Sequence, residues 1–99
     1  MMVELRKAKA MQAIFVMIKC ALGRAYTVAE KLADEVDEIS EVHSISGQYD
    51  LLAKFYPPKD ADIGHFVTEK VQTLDGVADT FTMITFKAFK WPFANLPNF

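Results

Sequence analysis

A single cysteine, Cys20, rules out an internal disulfide. No other Cys or His stands near it at metal-ligand spacing, so a structural zinc site is excluded and a reducing compartment fits. The residue reads as a small buried hydrophobe at a strand end. Runs of about 18 apolar residues, the minimum for a bilayer span, are missing, which removes a membrane partner. Residues 1–10 carry Arg6, Lys7 and Lys9 but no apolar stretch with a small-residue cleavage site, so no secretory signal is read and a cytoplasmic location is expected. Phosphate-binding glycine loops, nucleophile elbows and metal clusters are absent, and no cofactor is expected. Neither sign of charge dominates: 11 basic against 13 acidic residues give a net charge of -2. Such a mixture offers no clustered Lys and Arg for a phosphate backbone, which argues against direct nucleic-acid binding.

What the chain does have is apolar content, 52% of its 99 residues, a little above the ~45–50% of soluble domains. A chain this short holds one core and gains from self-association. Residues 11–19 are apolar at nearly every position, as in a central strand with both faces covered. Ala25, Val28, Ala29, Leu32, Ala33 and Val36 follow at the spacing of one helix face. Residues 39–46 alternate weakly, with Ile39, His43 and Ile45 on one side and Val42 on the other, and suit an edge strand. Residues 49–56 place Tyr49, Leu51, Ala53 and Phe55 on one face and Leu52 with Tyr56 on the other, a second central strand. Only Gly47 and Gln48 separate these two runs, and glycine at the first central position is what a type II′ hairpin requires.

Pro57 and Pro58 end that strand. Asp60 or Asp62 can cap a second helix with Ile63, Phe66, Val67, Val71 and Leu74 on its buried face. Residues 77–89, β-branched and aromatic, form a long last strand. The domain thus spans residues 11–89, between an N-terminal extension, 1–10, and an apolar tail, 90–99, that holds Trp91, Phe93, Leu96 and Phe99 and packs on its own domain or a neighbour.

The order β-α-β-β-α-β with right-handed crossovers is an α+β, ferredoxin-like sandwich: a four-stranded antiparallel sheet with both helices on one face. The first strand is apolar on both faces, so the open face needs a cover. A second copy packed sheet to sheet supplies it, giving a dimeric α+β barrel, and the last strand and tail offer surface for pairing dimers.

Asp50 is the most informative polar residue. One reading makes it a turn acid bonded to nearby backbone amides. The other has its carboxylate hold a ligand ammonium while amides around Gly47 and Gln48 receive a carboxylate, the two charged groups of an amino acid. Thr80, Thr82 and Thr85 can add hydroxyls from the last strand, or serve only as strand formers. His43 and His65 read as surface or partly buried histidines, His43 being the better candidate for chemistry.

Residues 45–54, Ile-Ser-Gly-Gln-Tyr-Asp-Leu-Leu-Ala-Lys, resemble the Thr/Ser-Gly-x-Tyr/Phe-Asp-hydrophobic signature of the ligand-sensing (RAM) domain of the Lrp/AsnC transcriptional regulators. Residues 71–77 followed by Thr80 and Thr82 resemble the second signature of that family. The resemblance, over about residues 11–89, implies a ferredoxin-like dimer that assembles to octamers or similar rings and binds an amino-acid-type effector between dimers near the turn. Ligand contacts are then expected from Ser46, Gly47, Gln48, Tyr49, Asp50, Thr80 and Thr82. Ten preceding residues cannot form the helix-turn-helix of these regulators, so a stand-alone, non-enzymatic sensing domain is expected, with a full-length Lrp/AsnC regulator as a further partner. Two alternatives stay open: a small cofactor-free enzyme of the dimeric α+β barrel type, using His43 or Asp50 for proton transfer, and a structural adaptor.

Overall fold

The computed structural model describes residues 12–90. The expected N-terminal extension and the packing of the apolar tail from Trp91 onward lie outside the described residues. Four strands and two helices follow in the expected order: β1 (Ile14–Cys20), α1 (Ala25–Glu35), β2 (Ile39–Ser44), β3 (Leu51–Phe55), α2 (Ile63–Val67, continued by a π-helical turn over Thr68–Gln72) and β4 (Val77–Ile84). The sheet is antiparallel with strand order β2-β3-β1-β4, so β1 and β3 are central and β2 and β4 are edges.

The ferredoxin-like sandwich is therefore as expected, and its core shows why. Alternation on β1 and β3 puts Ile14, Val16, Ile18, Leu51, Ala53 and Phe55 on one face, all fully buried. Against them pack Val28, Leu32 and Val36 from α1 and Phe66, Val67 and Val71 from α2. Phe55 and Phe66 meet edge to face with ring centroids 5.4 Å apart, an arrangement the ring quadrupoles favour. Of the stripe expected on α1, only Ala33 faces solvent.

Several boundaries depart from the expectation, each for a pairing reason. β4 stops at Ile84 rather than reaching residue 89, because its neighbour in the sheet, β1, begins at Ile14, the residue paired with Ile84. β2 is bulged between Ile39 and Glu41. The bulge moves Ile39 to the side of Val42, both packed against the core, and leaves His43 on the open face opposite Leu52. The β2–β3 connection is not the two-residue hairpin expected: the Ile45 amide donates to the Asp50 carbonyl at 3.0 Å, enclosing residues 46–49. Gly47 still takes the left-handed conformation, φ 106°, that favours glycine.

At the start of α2, Asp62 rather than Asp60 is the cap, its Oδ1 accepting the His65 amide at 3.1 Å. A carboxylate there also meets the positive end of the helix. Asp62→Ala is expected to lower the unfolding free energy by about 1 kcal/mol, read as a lower urea midpoint at unchanged slope.

Candidate functional site

The seven expected contact residues do not gather in one place in the protomer. Ser46, Gly47 and Gln48 are exposed at the tip of the β2–β3 loop. Tyr49, which simple alternation assigns to the helix-covered face, instead lies against Phe81, ring centroids 6.4 Å apart, and Phe81 belongs to the open face through its pairing with Met17. Alternation breaks because Asp50 directs its amide to the Ile18 carbonyl of β1, at 2.9 Å, while its own carbonyl accepts from Ile45 of the β2 side.

The Asp50 carboxylate reaches a distant segment. Its Oδ2 accepts the backbone amide of Cys20 at 2.8 Å, thirty residues away in the chain. It also lines a cleft of about 310 Å³ between the end of β1 and the first turn of α1, together with Lys19, Leu22 and Tyr26. Leu22 and Tyr26 are strongly exposed apolar side chains. The Cys20 thiol is pushed up from its ordinary pKa, first by burial and then by the neighbouring Asp50 charge. That holds it as the inert thiol rather than a nucleophile.

Thr80 and Thr82 pair with Ile18 and Val16 and so lie on the helix-covered face. Thr82 lines a second cleft, about 320 Å³, beneath α2, together with Ile63, Gly64, Val67, Gln72 and Ile84. Thr80 Oγ1 accepts from Gln72 Nε2 at 2.8 Å, which ties β4 to the π-helical turn. Such turns widen a helix locally and recur at functional sites. Thr85 is used differently, its hydroxyl donating to the Ala13 carbonyl at 2.6 Å. Sequence reasoning missed both Gln72 as a site neighbour and the π-turn; a polar side chain eight residues before Thr80 becomes informative only when α2 folds back on β4.

His43 lines neither cleft. Its ring lies on the open face with Nε2 2.9 Å from Glu41 Oε1, and Lys54 Nζ stands 3.6 Å from the other oxygen of Glu41. The bond to His43 holds the Glu41 carboxyl below its ordinary pKa, with Lys54 adding to the effect. Lys54 also lies over the rings of Phe15 and Tyr56, 5.7 and 5.2 Å from their centroids. His65, on α2, meets Glu69 at 3.1 Å and is exposed. At the far end of α2, Asp75 bonds Arg24 at 3.0 Å, and that guanidinium lowers the Asp75 pKa.

The open face carries a graded surface. Two cross-strand rows run His43-Leu52-Met17-Phe81 and Glu41-Lys54-Phe15-Met83, polar at β2 and apolar at β4. Phe81 and Met83 are 49% and 37% exposed, so the apolar end of each row stands in solvent. Among the described residues no set of three or more His, Cys, Asp or Glu side chains is placed to hold a metal ion, and no helix is long and apolar enough to cross a membrane.

The model of the Lrp/AsnC ligand binding domain matches residues 13–92. Among curated relatives, the HTH-type transcriptional regulator FL11 of Pyrococcus furiosus is 34% identical over 76 residues, which cover 77% of this chain and 49% of that protein. The chain spans only 41% to 49% of the length of the curated relatives it matches. Among solved structures, TTHA0845 from Thermus thermophilus superimposes with a TM-score of 0.73 at 31% identity, covering 82% of this chain and all of the other. The transcriptional regulator NMB0573 of Neisseria meningitidis, in complex with L-Met, superimposes with a TM-score of 0.72 at 16% identity over 87% of this chain and 56% of the other, a likeness of fold. The chain belongs to the Lrp/AsnC family and carries that family's ligand-binding domain.

Proposed function

We propose that this chain is a non-enzymatic effector-binding module of transcription regulation, in which copies pair through their open sheet faces and a small amino-acid-type effector binds where two copies meet. The observation that carries this reading is the separation of the expected contact residues at the loop tip from those on β4. Thr82 lines the cleft under α2, whereas Ser46, Gly47 and Gln48 project into solvent and line neither that cleft nor the one beside Asp50. A ligand that touches both groups needs the cleft of one copy and the loop of another. Thr80, Thr82 and the exposed loop amides would supply hydroxyl and N–H partners to the effector, and Ile63, Val67 and Ile84 an apolar floor.

Catalysis is disfavoured because the two candidate acid/base groups are engaged apart from each other: His43 with Glu41 on the open face, Asp50 with a backbone amide. A ligand bridging copies stabilises the larger assembly by mass action. The test is a thermal-shift screen beginning with L-methionine and extending to the other standard L-amino acids, paired with native mass spectrometry. At 100 times Kd a bound effector adds ~2.7 kcal/mol, a rise in Tm on the order of 10 °C for a domain of this size, with a shift toward larger assemblies. A monomeric mass with no stabilisation by any amino acid would end the proposal.

A further inference from the structure

Both family signatures converge on one short segment that belongs to neither. From the first, Asp50 Oδ2 accepts the amide of Cys20 at 2.8 Å. From the second, the Gly76 carbonyl accepts the amide of Ala21 at 2.7 Å, and Asp75 bonds Arg24 at 3.0 Å. The two successive amides at the end of β1 are thus claimed from opposite sides of that strand, one by Asp50 at the end of the β2–β3 loop and one by the α2–β4 turn. Regular pairing has run out there: the β1–β4 register shifts between Lys19 and Cys20, and β3 begins only at Leu51. Without Asp50, the Cys20 amide would lose its hydrogen bond in a part-buried position, and such orphaned donors are costly.

We infer that Asp50 is a positioning residue, its carboxylate fixing the β1–α1 turn to the β2–β3 loop rather than meeting the ammonium of an effector. The bond is long range and its donor is a neutral amide, so the task needs an acceptor atom in that place and not a negative charge. It also joins the loop that holds the exposed Gly47 to the turn that carries Leu22. The inference goes beyond the effector reading and stands independently of it.

The discriminating pair is Asp50→Asn, which keeps an acceptor oxygen and removes the charge, and Asp50→Ala, which removes both. Amide hydrogen exchange in the ligand-free protein, resolved by NMR, reads the bond directly. In Asp50→Ala the Cys20 amide is expected to exchange at least about tenfold faster while amides in the middle of α1 keep their rates, a local opening rather than a global one. In Asp50→Asn the Cys20 amide stays within a few fold of wild type. Unchanged Cys20 exchange in Asp50→Ala, or Asp50→Asn as open as Asp50→Ala, overturns the inference. If Asp50→Ala does not fold, a folded Asp50→Asn with a protected Cys20 amide upholds it, and an unfolded Asp50→Asn overturns it. Where L-methionine stabilises the wild type, loss of that response in Asp50→Asn with Cys20 still protected would return Asp50 to the effector. Absence of any response in the wild type counts against the effector reading alone.

Discussion

With the proposed pairing of sheet faces, Phe81→Glu is expected to give a folded protein in which that pairing is weakened by about three orders of magnitude. Phe81 sits on the edge strand β4, 49% exposed in the protomer, opposite Met17 and against Tyr49. In an isolated subunit the substitution forfeits only part of a ring already half in water, so far-ultraviolet circular dichroism should be unchanged and stability only slightly lower. If two copies pair through this face, the symmetry of the contact places two new carboxylates in the interface. Each must lose water without a partner, at a cost of about 2 kcal/mol after relaxation. Together these amount to ~4 kcal/mol, a factor of about a thousand in Kd. Sedimentation equilibrium of the wild type and the variant measures it; equal association constants would remove the sheet face from the assembly.

Gly76→Ala is expected to lower stability by about 3 kcal/mol, more than alanine at Gly47. Both glycines hold a left-handed backbone, φ 102° and 106°, which costs an L-residue on the order of 1–2 kcal/mol. The difference lies in space. A Cβ on Gly76 would sit 2.9 Å from Val28 Cγ2 and 3.3 Å from Arg24 Cβ, whereas one on Gly47 would meet nothing within 4 Å. Val28 is fully buried in the core, so relief requires α1 to move, and overpacking adds a further ~1–3 kcal/mol. The same displacement would strain the bond from Ala21 to the Gly76 carbonyl. For a domain of this length, ~3 kcal/mol corresponds to a fall in Tm of roughly 12–24 °C. Urea melts of the two alanine variants give the ranking, and a Gly47→Ala protein as unstable as Gly76→Ala would show that backbone strain alone governs both.

The order of elements and the identity of the central strands were legible because each rests on local pattern. Ile14, Val16 and Ile18 alternate with Phe15 and Met17, and Val28 and Leu32 recur at helical spacing, so the core-facing side chains are set by the periods of about 2.0 and 3.6 residues. Glycine at position 47 was legible for a similar reason, since a backbone requirement is written in a single residue. The turn around it was not. The loop closes at Ile45 and Asp50 because the Asp50 amide is drawn to Ile18 of β1, a partner far away in the chain.

The same division holds for the contact residues. Sequence alone grouped Ser46, Gly47, Gln48, Tyr49 and Asp50 by adjacency, and the sheet then dispersed them: three to solvent, Tyr49 to Phe81 of the open face, Asp50 to the Cys20 amide. The bulge between Ile39 and Glu41 likewise exchanged which side chains share a face with His43, a change that periodicity cannot carry, because one unpaired residue inverts every position before it. Family, fold and the glycine at position 47 were therefore determined by the order of residues, through propensities that act within a few positions. Which face each of these side chains takes and which partner it meets was decided only when β1 came to lie between β3 and β4, because hydrogen bonds such as those donated by the Cys20 and Ala21 amides exist only between segments that tertiary packing brings together.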